Sequence, residues 1–168
     1  PQRESLKILE EIVKNNNISK NNDIEKELLK IQKKFPNVKD FERNFISVCF
    51  SLATGVGKTR LMGAFITYLY ISGLSKNFLI VAPNTTIYEK LINDFSSHSN
   101  KYVFKGLDSI IKKKPIIVTG DTWDQGISVN ENLFGEDFKI NIFNIDKINK
   151  DKGRIRKTQE YLGQSYFE

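Results

Sequence analysis

Leu52-Ala53-Thr54-Gly55-Val56-Gly57-Lys58-Thr59 decides how the rest of the chain is read. This octapeptide joins an apolar run, Phe45 to Leu52 (FISVCFSL), to a helix expected from Lys58 to Ser72. A glycine-rich turn between a strand and a helix is the setting of a phosphate-binding loop. Gly55 and Gly57 allow backbone shapes that turn N–H groups inward, with no Cβ to block close approach. Those amides and the helix N-terminus then surround a phosphate. Lys58 carries its charge to the β- and γ-phosphates, and the Thr59 hydroxyl is a ligand for Mg²⁺. A glycine turn that merely caps a helix would leave a cationic lysine at its mouth without a purpose.

Working outward, residues 3–15 read as an amphipathic helix, with Leu6, Leu9, Ile12 and Val13 on one face and Glu4 in the first turn. A second helix spans roughly 22–34, with Ile24, Leu28 and Ile31 as its stripe and Asp23 or Asn22 as cap; Phe35-Pro36-Asn37 breaks it. After the phosphate loop and its helix, Gly73 is a stop signal and Asn77 to Ala82 (NFLIVA) a continuous apolar strand. Pro83-Asn84-Thr85-Thr86 turns and caps a helix running to about Phe95. Tyr102-Val103-Phe104 reads as a short strand, 107–112 as a helical turn, Pro115 to Thr119 as a buried strand and Ile140 to Ile145 as a further strand. Residues 120–137 read as irregular and 155–167 as a weak helix. Strands alternating with helices predict a parallel sheet.

Composition narrows the function. The 168 residues fit one domain, and 39% hydrophobic and 11% aromatic content supplies a packed core. One Cys excludes a disulfide framework, and one His excludes histidine-rich zinc sites. Cys49 reads as a core residue, His98 as solvated, and Asp121 and Asp124 as turn chemistry. The longest apolar stretch, Gly63 to Leu74, is too short to cross a membrane, and Pro1 to Glu11 is too charged for a signal peptide. A cytoplasmic, reducing compartment is expected. The net charge of +6 is densest at Lys112-Lys113-Lys114 and Lys147 to Lys157, and suits a polyanionic partner or a solvated surface.

The loop has Leu52 where the common phosphate-loop pattern has its first glycine. Asn149-Lys150-Asp151-Lys152 only imitates a guanine-reading motif, with Lys at the position where Asp must accept hydrogen bonds. Three readings stay open on the residues alone: a nucleic-acid-dependent ATPase, a small-molecule phosphotransferase, and a degenerate nucleotide-binding module.

With these residues in hand, the chain resembles the first motor domain of superfamily 2 helicases and translocases, above all the Res subunits of type III restriction enzymes. The likeness is sharpest over Phe50 to Phe65 (FSLATGVGKTRLMGAF) and Phe78 to Leu91 (FLIVAPNTTIYEKL). It implies a RecA-like α/β sheet in an incomplete motor domain, with residues 1–44 as a helical lead-in and 45–168 as the first part of the motor. It implies ATP and Mg²⁺ as cofactors, with Thr54, Gly55, Val56, Gly57, Lys58, Thr59 and Arg60 around the nucleotide. Lys58 and Thr59 are the catalytic pair, Thr59 holds the metal, and Gln2 reads adenine. Pro83, Asn84, Thr85 and Asn144 are implied contacts to nucleic acid, expected to be double-stranded DNA, with a Mod-like methyltransferase as protein partner and no membrane. The loops Thr119 to Trp123 and Phe143 to Lys147 end later strands, where the family has further strand contacts. Trp123 reads either as a base-stacking ring or as a packing residue.

One departure matters. The acidic Asp-Glu-x-His motif is absent: Val118-Thr119-Gly120-Asp121 and Asn144-Ile145-Asp146 each follow an apolar strand, yet neither supplies the Glu. The expectation is therefore a fragment that stops before its catalytic acid. Such a fragment should bind nucleotide weakly and hydrolyse little or none.

Overall fold

Helix α1 (Gln2–Asn15) forms where the apolar stripe was read, and it buries Leu9 and Ile12. The computed structural model describes residues 1–19, 22–107, 114–123 and 138–146. Helix α2 (Ile24–Lys34) starts at Asp23, whose carboxylate accepts the Lys26 N–H at 3.2 Å. It ends at Phe35 because Pro36 disfavours helical backbone in the residue before it. Ile12 of α1, Ile31 of α2 and Phe41 form a buried cluster, flanked by Ile8, Ile24, Leu28, Phe35, Val38 and Ile46. Each fully buried isoleucine in it contributes about 1.5–3 kcal/mol relative to exposure.

A polar joint closes the same helix pair. Asn16 donates from Nδ2 to the Glu27 carbonyl at 3.0 Å and to its carboxylate at 2.9 Å. The Asn17 N–H and the Lys30 ammonium reach that carboxylate at 3.2 and 2.7 Å. Glu27 is 5% exposed. The hydrogen bond from Lys30, aided by those from Asn17 and Asn16, holds its carboxyl below the usual glutamate range against the opposing effect of burial. A depressed carboxylate pKa stabilises the fold above the unfolded value, and that contribution is lost as pH falls through the folded value. Glu27→Gln should therefore lower the thermal midpoint at neutral pH. The gap to the parent should narrow as pH falls below about 4, the ordinary glutamate value, and close only once the depressed carboxyl of the folded state is itself protonated; melting curves across pH check this.

The chain divides into two compact units, Pro1–Tyr68 and Leu69–Glu168. The first holds α1, α2, the glycine loop before Lys58 and most of helix α3 (Lys58–Ile71). The second is built on a three-stranded parallel sheet of β1 (Asn77–Ala82), β2 (Ile116–Thr119) and β3 (Lys139–Asn144), in the order β1-β3-β2. Register pairs Ala82 with Asn144 and Thr119 with Ile142, so the carboxyl ends of all three strands lie along one edge. Helix α4 (Thr85–Phe95) packs across the three strands through Tyr88, Leu91 and Phe95. Phe138 stacks on Tyr70 at 4.1 Å between ring centroids and meets Phe78 and Phe104 edge-on, which closes the core at the other end of the strands.

The chain is mixed α/β with a parallel sheet, as the alternation of elements predicts. Three local expectations are corrected. Phe45 to Leu52 forms no strand among the described residues: the ladders use only 77–82, 116–119 and 139–144, and a strand needs a partner for its amides. Phe45 is 63% exposed, and Cys49 is exposed rather than core, because without a ladder this apolar run is not built into a sheet. Tyr102-Val103-Phe104 forms turns, not a strand; Val103 and Phe104 are still buried, pulled in by the Phe95 and Phe138 rings and by a bond from the Val103 N–H to the Asp94 carbonyl at 2.9 Å. β1, a continuous apolar strand by sequence, is buried only at alternate positions. Ile80 and Ala82 are buried, while Leu79 and Val81 are exposed, because this edge strand is covered on one face. The readings for 107–112, for 124–137 and for 155–167, together with Lys112, Lys113 and the stretch from Lys147, lie outside the described residues, Leu107 excepted.

Candidate nucleotide and nucleic-acid sites

The loop from Ala53 to Lys58 carries the geometry its sequence requires. Gly55 and Gly57 have φ of +80° and +81°, in the left-handed region where a side chain is penalised. The turn leads straight into the N-terminus of α3 at Lys58. The amides that start this helix have no carbonyl partner within it, and the dipole adds partial positive charge at the same end. Lys58 folds its ammonium back over the loop to the Ala53 carbonyl at 2.7 Å. A phosphate oxygen carries more negative charge than a carbonyl and is the stronger acceptor for that ammonium. Val56 and Thr59 are half-buried, whereas Thr54, Gly55, Gly57, Lys58 and Arg60 are exposed.

Gln2 sits on this loop although it is far away in sequence. Its amide Nε2 donates to the Val56 carbonyl at 2.6 Å and to the Gly57 carbonyl at 3.3 Å. The approach is close enough that a Cβ on Gly57 would collide with that nitrogen. The Gln2 carbonyl oxygen remains to accept from an amino group. A divalent cation at the loop would meet the Thr59 hydroxyl and the phosphate oxygens. Among the described residues no group of three or more His, Cys, Asp or Glu could hold a metal. A donor set of hydroxyl and phosphate oxygens suits Mg²⁺, a hard cation that keeps part of its water shell.

A second set of residues lies along the carboxyl edge of the sheet. Asn84 caps α4, accepting the Ile87 N–H at 2.9 Å. Pro83, Asn84, Thr85 and Thr86 are exposed. Asn144, at the end of β3, is buried and donates to the Thr85 hydroxyl at 3.4 Å, while its own oxygen accepts the Asp146 N–H at 3.0 Å. The fold thus gathers Pro83, Asn84, Thr85 and Asn144 at the position where open α/β sheets bind ligands. Trp123 does not face solvent: it is 5% exposed and packs on Val118 and Phe143.

The decisive comparison is with protein families. The model of the type III restriction enzyme Res subunit matches residues 2–168. The chain belongs to this Res family. No curated protein and no solved structure gives a significant match. The Res match spans both units and includes both groups of residues described above. It places the chain among helicase-like ATPases, as the phosphate loop and motif order led us to expect. Among the described residues, no helix of this Res-family chain is long and apolar enough to cross a membrane.

Sequence reading missed two contacts. The Ala53 carbonyl that receives Lys58 follows from an acceptor inside the loop, which no residue type signals. Tyr88 was not singled out, because its partners lie more than thirty positions away, at Gly120 and Asp121.

Proposed function

We propose that this chain is the ATP-binding part of a nucleic-acid-driven motor, the Res subunit of a type III restriction system. In this reading, the loop amides from Thr54 to Thr59 and the start of α3 enclose the triphosphate. Lys58 leaves the Ala53 carbonyl for the β- and γ-phosphates, and Arg60 adds positive charge at the mouth. Thr59 is the protein ligand for Mg²⁺, which when bound neutralises phosphate charge. Gln2 turns its carbonyl to the adenine amino group and, from its place on the loop, reports the base to the phosphate site. Pro83, Asn84 and Thr85 hold the backbone of double-stranded DNA without reading its sequence, and the buried Asn144 supports them through its bond to Thr85 rather than touching the DNA. A Mod-like methyltransferase supplies sequence recognition, and the whole assembly works on DNA in the cytoplasm.

The observation that carries the nucleotide reading is the Gln2 amide seated on the Val56 and Gly57 carbonyls. A glutamine with only a surface role has no reason to meet a glycine loop at a helix start more than fifty positions away. The test is base selectivity. By calorimetric titration with Mg·ATP and Mg·GTP, the parent chain should prefer ATP, and Gln2→Ala should erase most of that preference. The expected loss is about threefold to tenfold for a hydrogen bond of ordinary strength. Equal affinities for both nucleotides in the parent would remove Gln2 from the base site.

A further inference from the structure

The side chain of Gln2 ends in two N–H donors and one carbonyl oxygen. The glycine loop takes the donors: Nε2 gives to the Val56 carbonyl at 2.6 Å and to the Gly57 carbonyl at 3.3 Å. Two carbonyl oxygens facing one amide also settle which way round it lies, because only its nitrogen end can donate to them. The close seat depends on a bare Gly57, since a Cβ there would collide with Nε2. Gln2 lies in the first turn of α1 and is exposed, so a ring can reach its side chain from solvent. What it offers that ring is Oε1, which accepts and cannot donate.

We infer that Gln2 determines specificity through one group of the base alone: it recognises an exocyclic amino group, and the ring nitrogen beside that group goes unread. The ligand class is then a nucleoside triphosphate with an amino-bearing base, adenine or cytosine, rather than adenine only. A ring nitrogen is an acceptor. To meet it, the amide has to move an N–H off a loop carbonyl, which exchanges one neutral hydrogen bond for another with no net gain. An oxo group in place of the amino group is worse than neutral, because it sets an acceptor against Oε1 and leaves both without a donor. The amino group is the case that adds a bond: its N–H meets Oε1 while Nε2 stays on the Val56 and Gly57 carbonyls. The inference rests on the reading that Gln2 faces the base.

The test is a calorimetric series on the full chain with the Mg²⁺ complexes of ATP, 7-deaza-ATP, ITP, CTP and UTP, repeated with Gln2→Ala. 7-Deaza-ATP keeps the amino group and has carbon in place of the neighbouring ring nitrogen. ITP has an oxo group in place of the amino group, and CTP and UTP repeat that contrast on a smaller ring. The parent should bind 7-deaza-ATP within about twofold of ATP. It should bind ITP about threefold to tenfold more weakly than ATP, and should prefer CTP to UTP by a similar factor. Gln2→Ala should bring both amino–oxo pairs to near equality. A glutamine that only braces the loop would weaken the whole series in Gln2→Ala and leave the ratios as they are in the parent. If the parent prefers ATP to ITP but binds 7-deaza-ATP threefold or more below ATP, or gains nothing for CTP over UTP, the amino-only recognition is wrong while Gln2 keeps its place at the base. If the parent binds ATP and ITP equally, or if the preference survives Gln2→Ala, Gln2 does not face the base, and this inference falls with that reading. A parent that binds none of the five overturns the nucleotide reading itself.

Discussion

Replacing Lys58 by alanine should weaken Mg·ATP binding to this chain about 10-fold to 100-fold and leave its thermal stability almost unchanged. The two effects separate because of where the side chain sits. The partner seen for its ammonium is the Ala53 carbonyl, on an exposed loop, and losing such a surface bond typically changes stability by less than about 0.5 kcal/mol. A bond to a charged phosphate oxygen contributes more, about 1.5–3 kcal/mol, and that is the source of the affinity loss. Calorimetric titration with Mg·ATP, paired with a melting curve, reads both quantities. Unchanged affinity would show that Lys58 does not face the triphosphate. A collapse in stability would show that it has a structural task instead.

The second large effect concerns the two glycines, which share a backbone conformation and differ in their surroundings. At Gly55 an added Cβ meets nothing within contact distance, although φ is +80°. At Gly57, with φ of +81°, the same Cβ meets the Gln2 amide nitrogen. Both substitutions to alanine carry the left-handed cost of about 1–2 kcal/mol. Only Gly57→Ala also expels Gln2 from the Val56 and Gly57 carbonyls. Gly57→Ala should therefore lower nucleotide affinity and abolish the preference for ATP over GTP together, as Gln2→Ala does for the preference. Gly55→Ala should lower affinity while keeping the preference. If the two alanines behave alike, the Gln2 contact has no part in base selection.

The contrast also shows which features could be read from the sequence. Local devices were legible. The Asp23 and Asn84 caps, the Pro36 stop and the positive-φ glycines each depend on residues a few positions apart. The parallel sheet followed from alternation of elements, and the α1–α2 pair from its stripes. Contacts set by tertiary partners were not legible. Phe45 to Leu52 has the composition of a strand, but pairing depends on a neighbour that its own residues do not specify. Tyr102 to Phe104 has strand-forming residues, yet the aromatic cluster around Phe104 fixes them in turns. Gln2 was singled out only through the family likeness; that it would lie against a loop more than fifty positions away has no local signature. Tyr88 has the same problem, since Gly120 and Asp121, which its hydroxyl bonds, belong to another strand end.

The measurement that bears most directly on the central claim is an amide nitrogen–proton correlation spectrum of the chain titrated with Mg·ATP. The account expects saturable shifts at the amides of Gly55, Val56, Gly57, Lys58 and Thr59 and at the side-chain amide of Gln2, with smaller changes elsewhere. Mg·ATP that leaves these signals in place, or that binds while shifting a different part of the chain, would contradict it.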